Sequence, residues 1–497
     1  MITTNTGKFI RYTGLAWLSA LMTRLCWADF WLICTSVLSL VGGLYGLGNL
    51  LKMPAMRVNF FLISAVIIVL ASAFGVLFGF VSISLVSHDI WEITIDYAYT
   101  TTVDLALAQA YTNTFAIVFW LLGNRLHHSG MIGSVYQDIA TCLHDYKRIL
   151  LMLVVAILIC QLYLFTINVV VYGGKDLATE GEPTHPLLAL ITPLVSVLPF
   201  VLAYYARGYF QAGRWVAGML FIILLLGELN WFFLFGRRSI VYFFILLFAG
   251  LGHANVLTGR GIVKNIVPIC ISLFVILTIA DTYHKMRSVY GFQNLQRMNL
   301  VDGLTNLKTN TDDEKYDSIR KMNLSVRSAY SSLALGQFVN LFRTTPHEPL
   351  AGRILMTSIL LATPSDFLIN KKSVLAKEAL YESSYSLRLT DISETLYLEA
   401  FIDFGWFGGF LYAGFIFALF YGIYALARHS NNPLFSLIVS CTSVSLALAM
   451  IEVDMITFLA NIRTLFVYYL VTRLFFWKTE PRQPSYGMTE TSKTILR

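Results

Sequence analysis

Apolar runs of about 20 residues alternate with short polar breaks along most of this chain, and each run is long enough to cross a bilayer as a helix. The pattern predicts spans at about 30–50, 60–85, 103–122, 149–171, 186–205, 215–235, 240–256, 265–283, 404–427, 434–455 and 457–477. Phe9 to Thr23 is apolar but shorter, and reads either as a twelfth span or as an interfacial helix. One stretch breaks the rhythm. Between Tyr283 and Phe404 lie roughly 120 residues too polar to span continuously. Inside it, Asn310 to Lys321 is strongly polar, whereas Leu350 to Ile369 is apolar and predicts a helix lying at the membrane surface or packed on the bundle. The expected fold is all-α: a polytopic membrane helix bundle of 11–12 spans with one large, mostly helical outer loop. Its parts are an N-terminal membrane bundle (1–283), the loop (284–403), C-terminal membrane helices (404–477) and a cytoplasmic tail (478–497).

Charge gives the bundle an orientation. Lys52 and Arg57, then Arg125, Lys147 and Arg148, then Arg207 and Arg214, then Arg260 and Lys264, then Arg428 and Lys478 fall in every second connection. Acidic connections alternate with them: Asp89, Glu92 and Asp96, then Glu180 and Glu182, then Glu452 and Asp454. The positive-inside rule sets the basic side in the cytoplasm and the large loop on the outer face. The loop's own 14 Lys/Arg against 13 Asp/Glu do not decide this, because long loops follow the short ones. A bundle with one large loop on one face suits an enzyme at a membrane surface better than a transporter, and no internal repeat of the inverted-transporter kind is evident.

Composition narrows the chemistry. The chain is 57% hydrophobic and 13% charged, half the charge of an ordinary soluble domain, and its 36 Phe, 26 Tyr and 9 Trp suit an integral membrane protein with interfacial aromatics. The net charge of +7 lies mostly in short loops and tails, so it argues for topology and not for nucleic acid. The first apolar stretch holds Arg24 and lacks a clear small-residue cleavage site, so no signal peptide is expected. The six cysteines show no CxxC spacing and none falls in the loop, against both a disulfide scaffold and a thiolate metal site. HExxH, Asp-x-Asp, P-loop and Rossmann glycine patterns are absent from the sequence, so neither a metal nor another cofactor is expected.

Two constellations can carry chemistry. Gly236-Arg237-Arg238-Ser239 joins two apolar runs with almost no loop, on the side where arginine is least expected. Guanidinium there suits a phosphate or pyrophosphate, gripped by paired N–H donors. The alternatives are snorkelling to headgroups or pairing with Glu228. The second is Glu394-Thr-Leu-Tyr397-Leu-Glu399-Ala-Phe-Ile-Asp403-Phe-Gly405-Trp-Phe-Gly408, at the mouth of the ninth span. Glu394, Tyr397 and Phe401 share a helix face. Glu394, Glu399 and Asp403 are candidates for a base, for sugar ligands or for arginine partners; the alternative is an ordinary solvated helix start. Among the loop arginines, Arg353 and Arg388 lie nearest apolar segments and are the best placed for an anionic ligand. Near the last turn, Glu452 is an intramembrane acid candidate, with a structural pair to Arg463 as the alternative.

Many spans, one large outer loop late in the chain, the FGRRS turn and the Y-L-E-x-F-x-x-F-G-x-x-G start of the next span together resemble the Wzy-type O-antigen and exopolysaccharide polymerases and their relatives, the O-antigen ligases. Ligases usually carry His where this chain has Glu394, which favours the polymerases. The resemblance implies a GT-C-type glycosyltransferase of the bacterial inner membrane. Such an enzyme moves a growing glycan from undecaprenyl pyrophosphate onto a lipid-linked repeat unit, and a chain-length regulator and a flippase are implied partners beside the bilayer. On that reading Arg237, Arg238, Arg353, Arg388 and Tyr397 bind substrate, and Glu394, ahead of Glu399 and Asp403, serves as base. A ligase, a lipid-linked oligosaccharide flippase and a non-catalytic secretion component remain the alternatives.

Overall fold

The computed structural model describes residues 2–50, 52–53, 59–85, 100–167, 186–234, 237–252, 331–363, 374–375, 377–385, 395–430, 432–451 and 453–475. Among them all regular structure is helical. The N-terminal part comprises α1 (Ile2–Met22), α2 (Ala28–Leu50), α3 (Phe60–Leu85), α4 (Thr102–His128), α5 (Met131–Asp145), α6 (Lys147–Thr166), α7 (Pro186–Val195), α8 (Val197–Gln211), α9 (Trp215–Leu234) and α10 (Arg237–Gly252). From the large loop come helical residues 331–344 (α11), α12 (Arg353–Ala362) and α13 (Lys377–Tyr385). The C-terminal part holds α14 (Leu396–Phe404), α15 (Gly408–Ser430), α16 (Pro433–Leu448) and α17 (Met455–Phe475). Seven helices among the described residues are long and apolar enough to cross a membrane, α14 and α15 counting as one continuous stretch.

Inside a bilayer, helices gain little from burying apolar surface against each other, so close packing and internal hydrogen bonds hold them. The chain uses both. Ser36 bonds to Gln109 at 2.9 Å, Ser39 to Asn113 at 2.9 Å and Ser72 to Thr112 at 2.7 Å, tying α2 and α3 to α4. Asn59 donates to the Gly123 carbonyl at 3.0 Å. Local sequence starts the helices: Thr101 and Asp104 form a reciprocal capping box on α4, and Asn432 with Pro433 caps α16.

Three expected elements come out differently. The expected span 186–205 is two helices divided at Ser196, because Pro199 has no N–H to return to the Val195 carbonyl. The expected connection around 123–148 contains α5, whose apolar face (Met131, Ile132, Val135, Ile139, Cys142) is buried against α15 and α16. α14 is a separate helix, buried from Leu396 to Asp403, and not the first turns of a straight span. The apolar loop segment does pack on the bundle, as α12 against α17. The expected span 265–283 lies outside the described residues.

The loop helices sit at one end of the bundle. Arg343 of α11 pairs with Asp104 at the start of α4, at 3.0 Å, and Lys377 of α13 reaches Asp454 at the start of α17. Thr102 bonds to Asp29 at the start of α2. α4, α14 and α17 thus begin beneath the described part of the loop.

Candidate functional site

The motif around Glu399 and Asp403 forms an elbow. Thr395 caps α14 by accepting from the Leu398 N–H, and Gly405, at φ +57° and ψ −138°, ends it in a conformation that side chains disfavour. The chain then turns through Gly405–Phe407 and restarts at Gly408, where a Cβ would overlap the Ala400 carbonyl oxygen. Both motif glycines are therefore required by the fold of this turn. The close approach that Gly408 permits is made to the chain's own preceding helix.

Asp403 is fully buried at this elbow. Its two oxygens accept the N–H groups of Ile354 and Leu355, each at 2.9 Å, and the Tyr412 hydroxyl at 2.6 Å. It supplies the cap that α12 lacks, since Gly352 at the cap position has no side chain. Glu399 is fully buried too. One oxygen pairs with the Lys377 ammonium and the other accepts the Met455 N–H at 2.9 Å. Lys377, 2% exposed, also bonds to Asp454 at 2.7 Å. Asp454 in turn accepts the Thr457 N–H at 2.9 Å and caps α17. Burial works against the Asp454 charge, but the Lys377 ammonium and the hydrogen bonds from Lys377 and Thr457 outweigh it and hold its pKa below the usual carboxylate value. Leu396 N–H donates to the Val453 carbonyl at 3.1 Å, so the start of α14 is joined to the α16–α17 turn at both backbone and side chain.

These contacts correct the expectation that Glu399 and Asp403 stand open at the mouth of a span. Their lone pairs are committed to a helix cap and an ion cluster, which disfavours either as a base. Tyr397, expected to contact substrate, is a core side chain packed edge-on to Phe115. Arg353 is exposed at the first residue of α12, and its charge reaches Tyr385, whose phenol is pushed up by burial and by Asp403 and pulled back by Arg353. Arg463, considered as a partner for an acid, donates to the Ala362 carbonyl. Glu228 accepts from Gln161 at 3.1 Å. Arg237 and Arg238 begin α10, with their side chains outside the described set. Glu394, Arg388 and Glu452 lie outside the described residues.

A cavity of about 240 Å³ opens at the same end. It lies between the last turn of α9 (Trp231, Phe232), the first turns of α10 (Tyr242), α7, the last turns of α16 (Thr442, Ser445) and the first turns of α17 (Thr457, Asn461). Val453 and Thr457 in its wall flank Asp454, so the ion cluster is the outer support of that wall. Arg238 is one helical turn before Tyr242, so the arginine-bearing start of α10 lies next to the cavity. Sequence reasoning missed Lys377 because it weighed arginines. The visible signal was a single lysine in the apolar run SVLAKEAL. It also missed Thr442 and Ser445, although SLIVSCTSVSLAL is unusually rich in hydroxyls for a span. Neither a family model, nor a curated protein, nor a solved structure matches this chain.

Proposed function

We propose that this chain is a polysaccharide polymerase, transferring a growing glycan from undecaprenyl pyrophosphate onto a lipid-linked repeat unit at the outer face of a bacterial inner membrane. The observation that supports it best is convergence at one end of a membrane bundle: an arginine-bearing helix start, a mostly apolar cavity with hydroxyls, and docked helices from the large loop. In the reaction the acceptor hydroxyl oxygen bonds to the anomeric carbon as the bond to the pyrophosphate oxygen breaks. The electron pair leaves with the pyrophosphate, where Arg237 or Arg238 offsets the charge. The hydroxyl proton passes to a base. With Glu399 and Asp403 committed elsewhere, Glu394 is the carboxylate of the motif we assign to that role, with Arg353 and Arg388 as further anion contacts.

Deletion of the gene, followed by gel analysis of surface glycan, tests the reading. Loss of the ladder with retention of single-repeat product supports a polymerase; an unchanged ladder refutes it. A flippase is the second reading, favoured by the helix break at Ser196 in the cavity wall, since broken helices mark many transport sites. It predicts loss of the single-repeat product as well. The outer position of the loop is tested by Asp313→Cys, which should react with an impermeant thiol reagent before the inner membrane is lysed.

A further inference from the structure

We propose that an anionic phospholipid seats its phosphate between Lys147, at the start of α6, and Arg214, just before α9, at the end of the bundle away from the loop helices. This site is separate from the cavity and does not rest on the polymerase reading.

The argument begins with register. Gln161 of α6 donates to Glu228 of α9 at 3.1 Å, which sets the two helices side by side at that level. Lys147 stands 14 residues before Gln161, and Arg214 stands 14 residues before Glu228. Fourteen residues make nearly four turns, about 21 Å. Each cation therefore lies on the same face of its helix as the group that bonds across to the other. Contacts show that the two ends meet. The Lys147 ammonium lies over the rings of Tyr209 and Tyr205 of α8, at 4.5 and 5.5 Å from their centroids. The Arg214 N–H donates to the Tyr209 carbonyl at 2.9 Å, and the Tyr209 ring stacks on Phe221 of α9 at 5.4 Å. One tyrosine thus carries the ammonium on its ring and the backbone of Arg214 on its carbonyl. Exposed Arg148 adds a third cation beside Lys147. α4 begins beneath the loop helices and ends at His128, and Asp138 of α5 accepts from Ser436 in the first turn of α16, so the start of α6 lies at the opposite end.

Three cations are gathered here without an anion. Among the described residues none of Lys147, Arg148 and Arg214 has a carboxylate partner, and Asp145, the acid nearest in sequence, is paired with His144 at 2.7 Å. Like charges so placed repel, and an anion between them turns the repulsion into attraction. A guanidinium and an ammonium together suit phosphate. The surroundings make it the phosphate of a lipid. Trp215, next to Arg214, is 68% exposed and is the residue type that marks the level of the headgroups. Below it Met219, Ile223 and Leu226 of α9 are exposed, as are Met152, Val155 and Ile159 of α6. A headgroup held at the two cations has its acyl chains along these apolar faces. Basic seats between membrane helices select lipids by charge. A zwitterionic headgroup would bring its own ammonium to a place that already holds three cations, so the lipid must carry net negative charge.

The test uses the full chain, stripped of lipid in detergent, with phosphatidylglycerol and phosphatidylcholine of identical acyl chains. Native mass spectrometry counts bound lipid over a concentration series. Phosphatidylglycerol should bind saturably and more tightly than phosphatidylcholine. Lys147→Ala with Arg214→Ala should weaken it about tenfold or more and leave phosphatidylcholine unchanged. Lys147→Arg with Arg214→Lys, which keep both charges, should retain most of the binding and guard against a folding defect. Arg125→Ala with Arg428→Ala removes two cations from the ends of α4 and α15, at the same end of the bundle, and should leave the binding unchanged. Equal binding of the two lipids, or equal loss in the two double Ala variants, overturns the inference, since either result reduces the site to general surface charge. Displacement of phosphatidylglycerol by excess inorganic phosphate, but not by the same strength of chloride, also overturns it, because the seat then takes free phosphate and not a lipid.

Discussion

Lys377→Met removes the one described cation from the cluster with Glu399 and Asp454 while keeping an unbranched side chain of similar length. Two carboxylates then face each other, one fully buried and the other 18% exposed. Breaking a buried ion pair by removing one partner costs about 3–5 kcal/mol, and the partial exposure of Asp454 places this case near the lower end, at about 3 kcal/mol. The loss should be local first, because Lys377 is the described ionic link between α13 and the α16–α17 turn. About 3 kcal/mol is more than a hundredfold in a local opening equilibrium at 1.36 kcal/mol per decade. Amide hydrogen exchange in the purified protein reads this directly: residues 377–385 and 453–457 should lose protection by about that factor, while α3 and α4 should not change. The control is the triple variant Lys377→Met, Glu399→Gln, Asp454→Asn. It removes the uncompensated charge as well as its partner, and so should recover much of the protection. Unchanged exchange in the single variant, or a triple variant as labile as the single one, would refute the account of an ion cluster holding the cavity wall.

Four further outcomes are expected. Asp403→Ala strips α12 of its cap and leaves the Tyr412 hydroxyl unpaired, so it should cost about 2–4 kcal/mol, read as early exchange of the 353–356 amides and a lower thermal midpoint, with Asp403→Asn milder. Gly408→Ala should abolish folded, monodisperse protein because its Cβ would meet backbone at Ala400, whereas Gly422→Ala, with open space around it, should purify normally. The Asp454 pKa is lowered in the folded chain, so its stabilising contribution is complete above the ordinary value of 3.8 and is lost as the pH falls further through the folded value; exchange at 377–385 should therefore be flat from pH 7 to 5 after correction for intrinsic rate and should accelerate only below 3.8. Arg237→Ala with Arg238→Ala should shorten or remove the glycan ladder without lowering the amount of protein in the membrane, and the paired Lys variant should also be impaired, because an ammonium loses the planar fork.

Much of the bundle was legible because a bilayer imposes a length on apolar runs. α3 matches the expected 60–85, and α2, α9 and α17 fall within two residues of their expected starts. What escaped has a common cause in contacts that single-segment hydropathy does not contain. α5 carries Asp138 and His144 and is too polar for a span, yet Asp138 is buried and accepts from Ser436 at 3.2 Å across nearly three hundred residues of sequence. Its buried positions at three- and four-residue spacing were present to be read, but its short length favoured reading it as a connection. The elbow motif was located rightly, and its glycines are where the geometry demands them. The partners of its acids were not legible, since Lys377 precedes Glu399 by 22 residues and the N–H groups held by Asp403 lie 48 and 49 residues before it.

The charged groups most conspicuous in the sequence are, where their side chains are described, largely occupied in holding together the end of the bundle on which the loop helices sit. Asp403 fixes α12, Glu399 and Asp454 fix Lys377, and Asp104 fixes Arg343. A carboxylate with two or three short hydrogen bonds gains nothing by taking a substrate proton and would unseat a helix if it moved. In a membrane-embedded site the groups free to meet a ligand are therefore those with bonding capacity left over. The division of labour follows from the solvent. Charge costs most in the hydrocarbon region and is retained where it is paired, whereas a group that must bind and release a substrate cannot be held by two or three bonds of its own.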